Sequence, residues 1–261
     1  LGGIKNMDEI DSLEITKNFT ELTYFLPWEY RLKSDSDYFN SLTSDGVYFN
    51  IENQPLFGSV HLAIGAMHII FMGIIYNYLI LLSKAVPSDF NNTLIGFHDT
   101  IKKEIVNELA WHDFSLVGES PILDFFRVIG MTKSEIGQLK KLVKNRNSLM
   151  HANGVYIKDI KSFKDCSEEY LKCAELINKK CFDCIKKLYF DFIVSITIDL
   201  NDDSEAENYI SQYFSKEYNI SARSFDLLAE IPTTDYPQNN NKELIYNGLQ
   251  RYLSNNWKVD L

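Results

Sequence analysis

The stretch from Ser59 to Ser83, SVHLAIGAMHIIFMGIIYNYLILLS, carries no charged side chain over twenty-five positions. A segment this long and this apolar has two homes. One is a bilayer, whose hydrocarbon core takes about twenty helical residues to cross. The other is the centre of a helical protein, where neighbours cover every side. His61, His68 and Asn77 interrupt the run and no basic cluster marks its flanks, which favours the second. The expectation is a central helix near 59–84 that stops before Pro87, with no membrane partner.

A helix apolar on all faces needs other helices to wrap it, and the remaining sequence supplies them. Near 93–111, Leu94, Phe97, Ile101, Ile105 and Leu109 recur at helical spacing. Pro121 opens a short helix, PILDFFRVIG, that Gly130 can end. Thr132 and Glu135 stand three apart, as in a capping box, ahead of a seam of Ile136, Leu139, Leu142 and Val143, and Gly154 fits the position past that helix. Between 166 and 197, Cys166, Tyr170, Cys173, Ile177, Cys181, Cys184, Leu188 and Phe192 line one side of a long amphipathic segment. The fold class expected is all-α, an antiparallel helical bundle over 55–200. Residues 1–54, with an amphipathic helix near 8–26 and a loop or short hairpin near 27–58, form an N-terminal accessory segment. Residues 201–261 form a C-terminal one that packs on the bundle or on a partner.

Apolar residues make up 45% of the chain and the net charge is −10. That affords a sizeable core and argues against a protein that coats nucleic acid without selectivity. The four cysteines all fall between 166 and 184 on one helical face. Such spacing suits reduced core thiols in a cytoplasmic protein better than disulfides, and Cys181 and Cys184 lack the second pair a zinc site needs. No phosphate-binding glycine loop, HExxH or GxSxG is present. No metal and no cofactor are expected.

The sequence KNRNSLMHANG, 144–154, breaks this grammar of packing. On a helix Asn147 and His151 lie about 40° apart, whereas Arg146 and His151 are separated by about 140°. One helix therefore presents the arginine and the histidine to a single cleft poorly, and two copies facing each other present them well. From Lys133 to His151 the bases Lys133, Lys140, Lys141, Lys144 and Arg146 oppose the single acid Glu135, five minus one, a local +4 in an acidic chain. Such a field attracts phosphate.

Arg146, the polar Asn147 directly after it, and His151 form R-N-x-x-x-H. This resembles the signature of the HEPN superfamily (higher eukaryotes and prokaryotes nucleotide-binding), in the form frequent among its RNA-cleaving members. The resemblance covers six residues in motif and roughly 58–198 in the order of helices. It implies a HEPN-like bundle, a homodimer, and metal-independent endoribonuclease activity on RNA, tRNA among the substrates, at a composite cleft. A toxin or antiphage defence effector would fit, with an antitoxin or regulatory partner. By the same resemblance Arg146, Asn147 and His151 are the catalytic set, and the local positive field makes Lys140, Lys141 and Lys144 the candidates to face the substrate. An acidic or polar residue from an earlier helix often completes such clefts, and Glu104, Glu108 and His112 are the candidates. The alternative is a non-catalytic HEPN-like module for dimerisation or for binding a nucleotide or partner.

Overall fold

A computed structural model describes residues 17–27, 57–94, 114, 117–150 and 160–257. These residues are mostly helical, and among them there is no strand, only a single antiparallel bridge between Pro27 and Ser221. The apolar stretch forms α1, Phe57–Ala85. Its Ile70, Phe71, Ile74, Ile75, Leu79 and Leu82 are fully buried, and 83% of its most apolar window lies inside the molecule. The helix is thus a core element whose neighbours remove its side chains from water. Pro87 starts the next helix, α2 (Pro87–Leu94), which turns back to bury Phe90 and Leu94. The apolar segment expected near 93–111 lies mostly outside the described residues.

After a single turn at Glu119–Ile122 and a tight 3-10 run Leu123–Ile129, Gly130 adopts φ 73° and ends the element. That left-handed conformation strains any residue with a Cβ. The helix carrying the motif follows as α3, Lys133–Met150. Its start is the capping box read from the sequence: Glu135 N–H donates to Thr132 Oγ1 at 3.2 Å, and Thr132 N–H donates to Glu135 Oε2 at 2.6 Å. Two otherwise orphaned amides are thereby satisfied. Ile136, Leu139, Leu142 and Val143 form its buried stripe. The long α4, Ile160–Ser195, buries Tyr170, Cys173, Ile177, Cys181, Leu188 and Phe192 and half-buries Cys166 and Cys184. All four cysteines are free thiols.

Side-chain pairs fix the directions. Along α1 and α4 His68 meets Tyr170, Tyr78 meets Asn178, and Lys187 reaches the Ala85 carbonyl. The numbers rise together, so the two longest helices run parallel. Glu135 pairs with Lys180 and Lys141 with Glu169, so α3 runs opposite to α4. Successive long helices therefore alternate in direction, with α1 and α4 side by side and α3 returning along both.

The C-terminal residues share this core. A helix with a π turn in its middle, α5 (203–218), is capped by the Asp202 carboxylate and ended by Asn219 at φ 52°. Then come α6, Ala222–Ala229, and α7, Lys242–Trp257. Phe214, Phe225, Ile245 and Leu249 are buried in the apolar cluster that also contains α1 and α4. A buried polar knot joins the layers: Tyr78 O–H donates to Asn178 Oδ1 at 2.6 Å, and Ser224 Oγ donates to the same oxygen at 2.8 Å. The asparagine run at 239–241 terminates α4, since Asn239 Nδ2 donates to the Ile193 and Ile196 carbonyls and Asn241 Nδ2 to Ile198. On the other side Phe19, Leu22, Phe25 and Leu26 pack into the same core, and Glu21 pairs with Arg223.

Candidate functional site

The stripe of α3 advances from Ile136 through Leu139 and Val143, and the next inward position is Arg146. An arginine there must find a partner, because an unpaired charge facing a core is costly. The partner is Glu119, at the start of the short helix that precedes α3: Arg146 Nη2 donates to Glu119 Oε2. The pair is shielded, with side-chain exposures of 22% and 28%. Arg146 Nε is buried and has no hydrogen-bond partner among the described residues.

The same carboxylate oxygen accepts from a second group. His68 Nε2 lies 3.1 Å from Glu119 Oε2, and His68 Nδ1 lies 2.9 Å from the Tyr170 hydroxyl. His68 is 2% exposed, in the middle of α1, and burial pushes its imidazole below its ordinary value of 6.5 although Glu119 pulls the other way. The ring is therefore neutral near pH 7. An ionised carboxylate only accepts, which places the proton on Nε2 and leaves Nδ1 to accept from Tyr170 O–H. Burial works to raise the Glu119 carboxyl, but the bonds and charges of His68 and Arg146 outweigh it and hold the group below the usual carboxylate range. The result is one directed chain, Tyr170 to His68 to Glu119, with Arg146 donating to its end.

Residues singled out from the sequence fall into three groups. Arg146 and Asn147 are half-buried in the last turns of α3. His151, and with it Glu104, Glu108 and His112, lies outside the described residues. Two of the three lysines expected to face substrate are engaged within the protein: Lys140 Nζ is 2.7 Å from Asp124 and Lys141 Nζ is 2.9 Å from Glu169. Lys144 is exposed on α3. Such pairs, Lys140 with Asp124 half-buried and Lys141 with Glu169 exposed, contribute modestly to stability and exchange for other anions. They still reduce the positive field that a count of basic residues suggests.

Sequence reasoning missed Glu119, and marked His68 as a polar interruption of the apolar run. One signal was present: His68, Arg146 and Tyr170 each occupy an inward position on a separate helix. Polar groups on three inner stripes have to meet, but their mutual level along the bundle is a tertiary fact. Among the described residues no group of three His, Cys, Asp or Glu side chains has the arrangement to hold a metal ion. Beside the pair, Leu62, Ile69 and Met150 are large apolar side chains exposed by 59%, 44% and 49%. They belong to one face, since Leu62 and Ile69 flank Gly65 on α1 and the end of Met150 lies 3.5 Å from where a Cβ on Gly65 would stand. No protein-family model, curated protein or solved structure matches the chain.

Proposed function

We propose that the chain is a metal-independent endoribonuclease of HEPN type, acting on RNA at a cleft between two copies. The observation that carries this is the placing of Arg146. A half-buried guanidinium, held by one nitrogen and with donors left over, suits the charge that develops on a phosphorane. His151 begins the segment after α3 and has the side-chain type whose ordinary pKa is nearest neutrality, so it is the proton carrier. It takes the proton from the ribose 2′-OH, whose oxygen attacks the adjacent phosphate. The P–O5′ bond breaks, and a proton supplied to the departing oxygen leaves a 5′-OH and a 2′,3′-cyclic phosphate. Asn147, one turn before His151, orients the imidazole or binds the substrate. Lys144 attracts the backbone, and Lys140 and Lys141 exchange their carboxylates for phosphates as RNA docks.

The apolar face of Leu62, Ile69 and Met150, beside the arginine, supports the second copy, because exposed aliphatic side chains gathered in one place mark contact surfaces. A toxin or defence effector working in the cytoplasm, restrained by an antitoxin or regulatory partner, is the biological role that fits this chemistry. The test is to incubate labelled tRNA and a structured RNA with the protein in EDTA and to identify the product ends. Cyclic phosphates and 5′-OH ends are expected. Products with 5′-phosphates, or cleavage abolished by EDTA, would contradict the mechanism.

A further inference from the structure

We propose that His68 and Tyr170 are positioning residues, a buried relay that fixes the Glu119 carboxylate and through it aims the Arg146 guanidinium at the scissile phosphate. This rests on Arg146 being the phosphate-binding group of the ribonuclease.

The relay is expensive to fold around. His68 stands on a helix that is otherwise apolar there, between Met67 and the fully buried Ile70 and Phe71. A leucine at 68 facing a phenylalanine at 170 would need no partner, and apolar replacement of a whole buried polar set is often neutral or stabilising. Stability alone therefore does not account for an imidazole at this place.

Its geometry suits alignment. Each proton has one place to go: Tyr170 O–H to Nδ1, Nε2–H to Glu119, and Arg146 Nη2–H to the same carboxylate oxygen. The rings are clamped as well, since Tyr170 packs edge-on against His68 at 5.9 Å and against Phe71 at 5.3 Å. Tyr170 is buried and its phenol is held well above its ordinary pKa, so it stays a donor across the working range. Glu119 opens a single helical turn, Glu119–Ile122, and its half-buried carboxylate is held by the donor that reaches it from the core. Among the described residues Arg146 is tethered through one nitrogen while Nε has no partner. The guanidinium is thereby oriented without being saturated.

The experiment uses the full chain carrying Tyr170→Phe, His68→Leu, His68→Gln or Glu119→Ala. Tyr189→Phe is the control, because Tyr189 is equally buried and bonds Tyr236 far along α4 from the site. Two readouts are taken: kcat and KM for RNA cleavage, and the side-chain N–H signals of the five arginines, with that of Arg146 found by its absence in Arg146→Lys. Tyr170→Phe, His68→Leu and Glu119→Ala should lower kcat by about tenfold to a hundredfold while KM moves less than about twofold. They should also collapse the Arg146 signal to that of a freely rotating side chain. His68→Gln, which keeps a donor and an acceptor, should retain more activity than His68→Leu. Tyr189→Phe should change stability only. Wild-type kcat in Tyr170→Phe and His68→Leu, with the Arg146 signal unchanged, would overturn the relay. A rise in kcat in Glu119→Ala would make that carboxylate a brake on Arg146 and overturn it too. If the wild type cuts no RNA, the ribonuclease falls, and the arginine signals alone decide whether the relay holds Arg146.

Discussion

Arg146 occupies a position that the periodicity of its own helix reserves for an apolar side chain, and the consequences reach three other residues. Removing its partner leaves a half-buried charge. Glu119→Ala should cost about 1–2 kcal/mol in denaturant unfolding, below the roughly 3–5 kcal/mol of a fully buried pair because both groups retain some solvent. His68 gives a second signature. Unfolded, it takes a proton near 6.5; folded, it resists until lower pH. Between those values the unfolded chain binds more protons, so stability falls as pH drops below 6.5. His68→Leu should flatten that part of the profile of unfolding free energy against pH. A profile of unchanged slope would mean that His68 is not held neutral.

At the scale of elements, local chemistry and close approach decide different things. The start of α3 is fixed by its capping box, and Thr132→Ala should cost about 1 kcal/mol, read by thermal unfolding. Glu135 is held down to about 2 by its bonds to Thr132 and its contact with Lys180. Its contribution is complete above the ordinary carboxylate value of 4.5 and is lost as pH falls from there toward 2, so Glu135→Gln should flatten that part of the profile of stability against pH. Gly248 tests packing instead. A Cβ there would meet Ala206 Cβ at 2.7 Å and Glu207 N at 2.8 Å, where α7 crosses α5. Helix propensity favours alanine by about 1 kcal/mol, yet overpacking costs about 1–3 kcal/mol and is expected to win, lowering the melting temperature of Gly248→Ala. A rise would show that α7 can shift away. The capping box, the α3 seam, the core helix and the Gly130 stop were all legible in the sequence, because each is set within a few residues. That the asparagine run at 239–241 caps α4, some forty residues earlier in the chain, was not, because composition marks a polar loop without saying which carbonyls it meets.

For the molecule as a whole, the central helix was readable because a charge-free run of that length leaves few alternatives. That residues of 17–27 and of 203–257 enter one core was less so. Their polar composition hides the few residues, such as Phe19, Phe214 and Ile245, that enter it. The whole motif of Arg146, Asn147 and His151 was likewise visible in the letters, while the carboxylate that holds Arg146 depends on how three helices meet. The exposed face of Leu62 and Ile69 makes a prediction about assembly: the wild type should be a dimer in light scattering, and a double Leu62→Glu, Ile69→Glu variant should be a folded monomer with little activity. A wild-type monomer at micromolar concentration would remove the composite cleft. The central claim is tested most directly by the rate of RNA cleavage in EDTA by wild type, Arg146→Ala and His151→Ala, prepared side by side. Cleavage by the wild type, with both variants slowed by at least about a hundredfold, is the result expected. Equal rates in all three would place the activity elsewhere and leave Arg146 as a half-buried charge with a structural partner.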